Sequence, residues 1–361
     1  MSGLAAQDCL RELFARTEQG GEEELFRQVR QARTARWGDR IFLYGFLYLS
    51  TFCRNDCAFC QYRRSNAEER RYRKSLRELR EAGLRLAEDG VHLLDLTLGE
   101  DPYLVEGEGF ARLEEMVSVL HRETGLPVMV SPGVITAAQL SRLRQAGADW
   151  YACYQETHDQ RRFARLRLGQ DFDRRRQARL DAAATGLLVE DGLLTGLGET
   201  ADELAASLLA MRDEPLSQVR AMSYVPHACT LPVPEQGAAG QGATDGRRTH
   251  ELRAIAAMRL LMPDRLVPAS LDVDGLAGLR MRLMAGANVV TSIVPSGCGF
   301  AGVATRELDI DDARRSVAAV RRVLDGMGME MATAADYARW LESRRQALAA
   351  GEGRQEGHAC G

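Results

Sequence analysis

The sequence predicts a closed (β/α)8 barrel of the TIM type, and three observations lead to this prediction. The chain has 361 residues, which is enough to enclose one large core. Between residues 41 and 326, short apolar runs alternate eight times with longer stretches of helical periodicity. Such alternation is typical of parallel β-α-β units, and eight of these units make up a closed barrel. An open, doubly wound sheet is the alternative.

The strands are predicted where short, mostly apolar runs are bounded by polar or glycine-containing turns. They are residues 41–50, 91–98, 127–131, 149–155, 187–195, 219–225, 265–270 and 288–294. The helices are predicted where apolar residues recur every three or four positions. They are residues 75–89, 110–124, 137–146, 171–185, 201–212, 247–262, 276–285 and 311–326.

The barrel is predicted to occupy residues 39–330, with further segments at both ends. Residues 1–38 form a predicted N-terminal helical extension. Residues 331–361 contain a predicted C-terminal helix, 333–350, followed by a glycine-rich, flexible tail. We expect both end segments to pack on the outside or the bottom of the barrel. Residues 235–246 contain four glycines and form a flexible insertion.

Composition excludes several classes of protein. The formal net charge is −4, and the arginine-rich stretches are interleaved with acids, so nucleic acid is not indicated as a partner. Eight cysteines are too few for a disulfide scaffold, and residues 1–14 lack the apolar centre of a signal peptide. No run of about twenty apolar residues is present to span a membrane. We therefore expect a globular protein of the cytoplasm.

Three cysteines follow the first predicted strand with the spacing C-x3-C-x2-C: Cys53, Cys57 and Cys60. Three thiolates at this spacing suit three irons of a cubane cluster and leave the fourth iron open to a chelating cofactor. Zinc is the competing interpretation, but no histidine lies between Ile41 and Val91 to close a four-ligand site. A disulfide is a weaker interpretation, because the number of cysteines is odd.

Candidate substrate-binding residues lie on the inward faces of three predicted strands. Alternation along the second strand turns Asp95 into the barrel. The same alternation turns Arg220 inward in the sixth strand and places Ser270 and Asp272 on one inward face near the end of the seventh. A buried arginine needs an anion, and this combination of charges suits a zwitterionic amino acid with an additional amine. An internal ion pair between Arg220 and Asp272 is the structural alternative.

The run C-x3-C-x-aromatic-C resembles the signature of the radical S-adenosylmethionine (SAM) enzymes. The resemblance implies a [4Fe-4S] cluster on the three cysteines. It also implies that SAM chelates the open iron and is cleaved to a 5'-deoxyadenosyl radical. A low-potential electron donor, such as flavodoxin or ferredoxin, is the implied partner.

Later segments resemble the biotin synthase-like branch of these enzymes. Residues 98–101 are similar to the Gly-Gly-Glu element that takes the SAM amino group, with Leu98 in place of the first glycine. Residues 156–157 and 192–199 are similar to the Glu-Thr pattern and to the glycine-containing strand beside the adenine. The SAM contacts that this resemblance implies are Phe59, Tyr62, Gly99, Glu100, Glu156, Arg175 and Thr195.

Within that branch, the chain resembles the methylornithine synthases of pyrrolysine biosynthesis. The stretches that carry the resemblance are 42–46, 60–66, 95–103, 268–275 and 286–292. It implies a mutase that isomerises L-lysine to (3R)-3-methyl-D-ornithine. The implied substrate-binding residues are those that strand alternation also indicates: Asp95, Arg220, Ser270 and Asp272. Residues 225–229 and the longer segment after Pro232 depart from the family pattern near the expected pocket mouth.

Three classes of function remain open. The first is this radical mutase, and the second is a biotin synthase-like or hydrogenase maturase-like enzyme acting on another small amino acid-derived substrate. The third is a noncatalytic iron-sulfur or zinc-binding protein. A second cluster is not indicated, because the other cysteines have no paired spacing, and isolated cysteines are usually small buried hydrophobes. They are Cys9, Cys153, Cys229, Cys298 and Cys360, of which Cys298 follows the eighth predicted strand.

Overall fold

A computed structural model of the chain describes residues 7–8, 10–14, 22–226, 244–295 and 315–351. Its strands are β1 (Arg40–Ser50), β2 (Leu93–Leu98), β3 (Val128–Ser131), β4 (Ala148–Ala152), β5 (Leu188–Thr195), β6 (Gln218–Ser223), β7 (Pro268–Ser270), β8 (Val289–Ile293) and β9 (Glu330–Met331). The first eight form one parallel sheet in the order β6-β5-β4-β3-β2-β1-β8-β7. Gln218 at the start of β6 bridges to Leu266 just before β7, which closes the sheet into a barrel.

Helices surround the barrel. They are α1 (Glu22–Trp37), α2 (Leu76–Asp89), α3 (Pro102–Val105), α4 (Gly109–Thr124), α5 (Ala137–Gln145), α6 (Gln160–Leu166), α7 (Phe172–Ala184), α8 (Ala201–Asp213), α9 (Thr244–Leu261), α10 (Gly275–Met284), α11 (Val317–Asp325) and α12 (Ala334–Ala349). Among the described residues, no helix has the length and apolar character needed to cross a bilayer.

The predicted (β/α)8 barrel is confirmed, and each predicted strand and helix corresponds to an element of the structure. Three short elements, α3, α6 and β9, are not predicted, because a helix of one or two turns and a two-residue strand are too short to show a periodicity. The predicted insertion at 235–246 lies largely outside the described residues, as does Cys298.

Alternation along β1 shows how the barrel is filled from bottom to top. Phe46 and Tyr48 line a cavity near the C-terminal ends of the strands. At the other end, Tyr44 shares a 2.8 Å hydrogen bond with the Tyr337 hydroxyl of α12. Gly45 faces the helices instead, where it leaves room for a leucine of α2. One strand therefore contributes to both the floor of the barrel and the wall of the cavity.

The C-terminal segment closes the bottom of the barrel. β9 continues the sheet beside the start of β1, where Arg40 pairs with Glu330. On α12, the Trp340 ring stacks on Trp150 of β4 with 5.7 Å between centroids and 14° between planes. These aromatic contacts bury large apolar surfaces and make the floor a part of the core.

Candidate active site

The C-terminal ends of the strands surround a cavity of about 280 Å³. Most of the predicted site residues lie on its wall: Cys53, Cys57, Phe59, Cys60, Tyr62, Gly99, Glu100, Glu156, Arg175, Arg220 and Asp272. Three others, Asp95, Thr195 and Ser270, are buried but are not part of the described wall. Active sites of (β/α)8 enzymes lie at this end of the barrel, so the cavity is the candidate active site.

The loop that carries the three cysteines is held by hydrogen bonds to its neighbours. The Arg54 N–H donates to the Glu100 carbonyl over 2.9 Å, and the Ala58 N–H donates to the Leu166 carbonyl over 2.8 Å. The Arg71 guanidinium donates to backbone carbonyls on both sides of the loop. Because these backbone groups are satisfied, the loop has a defined path without regular secondary structure.

The donors on this loop suit an iron-sulfur cluster better than a single metal ion. Cys53, Cys57 and Cys60 are free thiols on one cavity wall. Across the described ranges, no three His, Cys, Asp or Glu side chains form a ready site for one ion. Ligands of three different irons in a cubane stand further apart than ligands of one ion, so separate thiols fit a cluster. Burial raises the pKa of Cys53, and that of Cys60 to about 12, so a metal must displace these protons.

Glu100 and Arg175 form a buried ion pair beside the cysteine loop. Arg175 Nη2 donates to Glu100 Oε1 over 2.7 Å, and Arg54 Nε donates to Oε2 over 3.0 Å. The Val134 N–H also donates to Glu100 Oε1. Burial raises the pKa of Glu100, but Arg175 and these hydrogen bonds outweigh it and leave the pKa below its ordinary value. Glu100 is therefore a carboxylate at neutral pH and can accept hydrogen bonds from a cationic amine.

Two glycines permit this arrangement of Glu100. A Cβ atom at Gly99 would overlap with the carbonyl oxygen of Phe52, next to the first cysteine. A Cβ atom at Gly133, whose φ is +72°, would overlap with the Glu100 side chain. Larger residues at these positions would displace the cysteine loop or the carboxylate, so both glycines are required by close packing.

Glu156 has a left-handed backbone, with a φ of 69°, which is uncommon outside glycine. Its N–H donates to the Gly192 carbonyl, and its carbonyl accepts from the Leu194 N–H. Arg167 Nη2 donates to the Glu156 carboxylate over 3.0 Å. Burial raises the pKa of Glu156 in spite of this cation. The neighbouring strand therefore holds a strained acidic residue at the cavity wall, which is typical of functional positions.

Arg220 reaches the cavity from β6. Its Nε donates to Glu190 Oε1 over 2.7 Å, and the Tyr154 hydroxyl donates to Glu190 Oε2 over 3.1 Å. Burial lowers the pKa of Arg220, but Glu190 outweighs it and leaves the pKa above its ordinary value. Nη2 of Arg220 is buried and has no hydrogen-bond partner in the part of the chain that is described. It is a donor available to a ligand anion.

Asp95 lies on β2 behind the cavity wall. Its Oδ1 accepts hydrogen bonds from the hydroxyls of Thr97, at 3.0 Å, and Ser131, at 3.3 Å. Its Oδ2 is buried and lacks a partner among the described residues. Burial raises the pKa of Asp95 to about 7, with a further rise from Glu190 and an opposing effect of Arg220. Near neutral pH, Asp95 is therefore divided between its charged and neutral forms.

Asp272 is the centre of a buried network after β7. Its Oδ1 accepts from the Tyr48 hydroxyl and from Arg315 Nη2, both at 2.7 Å. Its Oδ2 accepts from the hydroxyls of Ser292, at 2.6 Å, and Ser270, at 3.4 Å. Burial raises the pKa of Asp272, but Arg315 and the hydroxyls outweigh it and leave the pKa below its ordinary value. Asp272 is thus a fixed anion in the cavity wall.

Two expectations from the sequence need correction. The ion pair considered between Arg220 and Asp272 is wrong, because Arg220 pairs with Glu190 and Asp272 pairs with Arg315. Thr195 was expected beside the adenine, but its hydroxyl donates to the backbone carbonyl of the residue before Ser223, at 3.2 Å. The preceding residue on β5 lines the cavity instead, since side chains alternate along a strand.

Four residues that shape the site are missing from the prediction: Tyr48, Arg167, Glu190 and Arg315. Glu190 had a detectable signal, because it is an acid two positions before Gly192, on the inward face of a predicted strand. Tyr48 shares the alternation of β1 but resembles an ordinary core aromatic. Arg167 and Arg315 lie outside the strands, where no periodicity indicates which way a side chain points.

Comparisons with known proteins agree with this geometry. Residues 47–210 match the model of the radical SAM superfamily. The 3-methylornithine synthase of Methanosarcina barkeri (strain Fusaro) is 40% identical over 328 residues, which cover 91% of each chain. The crystal structure of methylornithine synthase (PylB) aligns with a TM-score of 0.84 at 39% identity, covering 92% of this chain and 96% of that one. The [FeFe] hydrogenase maturase subunit HydE of Thermotoga maritima is 27% identical over 79% of each chain.

These findings identify the class of enzyme and its cofactors. Radical SAM enzymes use a [4Fe-4S] cluster together with SAM, and the prediction of both cofactors is confirmed. The three cysteines and the ionised Glu100 and Arg175 provide donors of the chemical types that such cofactors require. The chain belongs to the radical SAM superfamily and, within it, to the family of the 3-methylornithine synthases.

Proposed function

We propose that this protein isomerises L-lysine to (3R)-3-methyl-D-ornithine for pyrrolysine biosynthesis. The similarity to a 3-methylornithine synthase over 91% of both chains supports this reaction. The structural observation that carries the proposal is Nη2 of Arg220, a buried donor in the cavity wall with no partner among the described residues. It meets the need of an amino acid substrate for a group that binds its carboxylate.

Lysine has one carboxylate and two ammonium groups, and Arg220, Asp272 and Asp95 match them in charge. Arg220 binds the carboxylate, while Asp272 and Asp95 accept hydrogen bonds from the ammonium groups. The Ser270 hydroxyl lies 3.4 Å from Asp272 Oδ2 and helps to orient that carboxylate. Glu190 fixes the direction of Arg220 before the substrate arrives, which lowers the entropy lost on binding.

For the cofactors, we assign the cluster ligands to Cys53, Cys57 and Cys60. SAM then lies against Phe59, Tyr62, Gly99, Glu100, Glu156 and Arg175. Glu100 accepts from the SAM amino group, and Arg175 binds its carboxylate. When bound, the cluster and SAM supply a carbon radical that removes a hydrogen atom from the substrate. Thr195 is not in this set, because its hydroxyl is bonded to β6.

The contribution of the chain to the rearrangement is to hold both parts of the substrate. A change of carbon skeleton breaks lysine into two fragments that must meet again in a new orientation. Arg220 on β6 retains the fragment with the carboxylate, and Asp272 after β7 retains the fragment with the distal ammonium group. The enclosed barrel also keeps water away from reactive intermediates.

A one-electron donor must reduce the cluster, and we propose a flavodoxin or a ferredoxin for this role. Such carriers and an oxygen-sensitive cluster both fit a reducing compartment, so we propose that the protein acts in the cytoplasm. The proposal adds no membrane or nucleic-acid partner.

The proposal is tested by anaerobic incubation of the reconstituted protein with SAM, dithionite and L-lysine. The amino acids are then separated by chromatography and identified by mass spectrometry. We expect an isomer of lysine with unchanged mass that co-elutes with authentic 3-methylornithine. D-lysine and L-ornithine are the matched control substrates, and neither should give this product. Deoxyadenosine without any isomer of L-lysine would contradict the proposal.

The alternative is a biotin synthase-like or maturase-like enzyme acting on another small substrate derived from an amino acid. The 27% identity with the hydrogenase maturase subunit HydE favours it. It is distinguished in the same assay, because SAM cleavage that depends on an amino acid other than lysine would support this alternative. In either case, the unpartnered Nη2 of Arg220 and the Asp272 carboxylate in the cavity wall favour a zwitterionic substrate.

A further inference from the structure

The side-chain amide of Gln170 connects the cysteine loop to two arginines of the site. Its Nε2 donates to Cys57 Sγ over 3.0 Å. Its Oε1 accepts from Arg175 Nη2 over 2.8 Å and from Arg167 Nη1 over 3.5 Å. A hydrogen bond from the Gln170 N–H to the Arg167 carbonyl, 3.0 Å, holds this turn between α6 and α7.

The direction of the amide is determined by the charges around it. The oxygen and nitrogen of a glutamine amide have similar shapes, so their positions must be argued from their partners. Guanidinium groups only donate hydrogen bonds, so the atom that faces Arg175 and Arg167 has to be the oxygen. The NH2 group of Gln170 must therefore face Cys57.

We propose that Gln170 is a positioning residue that stabilises the reduced state of the cluster through its hydrogen bond to Cys57. The inference rests on the proposed role of Cys57 as a cluster ligand. Reduction adds negative charge to a cluster, and an N–H donor on a ligand sulfur stabilises that charge and raises the reduction potential. Arg167 Nη1 lies 3.5 Å from the same sulfur and acts in the same direction.

The arrangement also links the cluster to the SAM side of the cavity. Arg175 Nη2 donates both to Gln170 and to Glu100. Gln170 lies beside the cysteine sulfur, and we place Glu100 beside the SAM amino group. Without the guanidinium of Arg175, the Gln170 amide loses one of the hydrogen bonds that direct its NH2 group toward the sulfur. Arg175 therefore holds the donor in place as well as binding a carboxylate.

The test is an anaerobic redox titration of the reconstituted full-length protein without SAM, followed by electron paramagnetic resonance. Gln170→Leu removes the donor, and Gln170→Glu keeps acceptors for both arginines but cannot donate to sulfur. We expect both variants to be harder to reduce by about tenfold, which corresponds to about 59 mV for one electron. Gln177→Leu is the matched control, because Gln177 is exposed on α7 and donates to Asp181. Its potential should equal that of the wild type.

Two outcomes would overturn the proposal: unchanged potentials in both loaded variants, or loss of the cluster from both of them. In the second case, Gln170 is needed to assemble or hold the cluster, which is not the role that we propose. If only the leucine variant fails to load, the glutamate variant decides. The ligand assignment is tested separately, because full iron in Cys57→Ala would reject that assignment whatever the potentials of the Gln170 variants.

Discussion

Arg220 Nε and Glu190 Oε1 lie 2.7 Å apart on adjacent strands, in a pair that is almost completely buried. Such a pair has a desolvation cost that its own attraction barely offsets, so it is weak evidence for stability. The position of Arg220 at the cavity wall instead indicates that the pair directs the remaining face of the guanidinium toward a ligand.

Replacing Arg220 is expected to abolish lysine rearrangement while cluster loading and SAM cleavage remain. The reason is that Nη2 of Arg220 is a buried donor of the cavity wall without a hydrogen-bond partner among the described residues, and the proposal assigns the substrate carboxylate to it. Arg220→Ala leaves Glu190 as an uncompensated buried charge, which costs about 3–5 kcal/mol of stability. Arg220→Met/Glu190→Gln is therefore the better-folded variant for the same measurement. Iron content, deoxyadenosine and 3-methylornithine are measured, and normal product formation by both variants would contradict the role of Arg220.

Replacing Cys57 by alanine is expected to prevent cluster assembly, since two thiolates cannot hold three irons of a cubane. The matched control is Cys153→Ser, because Cys153 is another buried free thiol of the same cavity but is not assigned as a ligand. Iron and sulfide are measured after anaerobic reconstitution. Comparable iron contents in the two variants would contradict the ligand assignment.

The raised pKa of Asp95 predicts a pH dependence of stability. The folded carboxyl has a pKa of about 7, compared with roughly 3.9 in an unfolded chain. Between these values the folded state binds more protons, so this residue makes the free energy of unfolding fall as pH rises. Asp95→Asn removes that dependence, so the stability of the variant relative to the wild type should increase from pH 5 to pH 8. Thermal unfolding of the cluster-free proteins measures the two stabilities. The same difference between variant and wild type at pH 5 and at pH 8 would contradict the prediction.

Arg315 and Asp272 are expected to show strong energetic coupling. Arg315→Met leaves Asp272 buried without its cation and should cost about 3–5 kcal/mol. Asp272→Asn in the same chain should restore part of this loss, giving a coupling of about 1–3 kcal/mol in a double-mutant cycle. Chemical denaturation provides the free energies. The exposed pair of Arg142 and Glu114 is the control and should show much weaker coupling, because water screens it. Equal coupling in the two pairs would be inconsistent with the buried network.

The barrel was predictable because each of its eight strands lies in a mostly apolar run, and each run is separated from the next by a helical pattern. The two-residue β9 has no such signal, and its place is set by its pairing with the start of β1. Local periodicity predicts the elements of the barrel, but it does not show which segments far apart in the chain pair with each other.

The site was predictable to the extent that its residues form part of local motifs or strand alternation. Asp272 was found because it continues the alternation of the seventh predicted strand, but its partner Arg315 lies 43 positions later in the chain. No spacing rule relates two residues that only the closed barrel brings together. For the same reason the sequence left Arg220 with the wrong internal partner, although Glu190 lay in a predicted strand.

The aromatic floor of the barrel has a kinetic consequence. Tyr337 and Trp340 seal the end of the barrel opposite the cysteine loop, against Tyr44 and Trp150. Arg220 lies within β6, whereas the cysteines follow the end of β1, so the proposed amino acid site is deeper than the proposed cluster site. Molecules that reach the deeper position from the mouth must pass the shallower one. Lysine should therefore bind before SAM, and its isomer should leave last. Bound SAM then blocks the exit of the amino acid until the reaction has taken place.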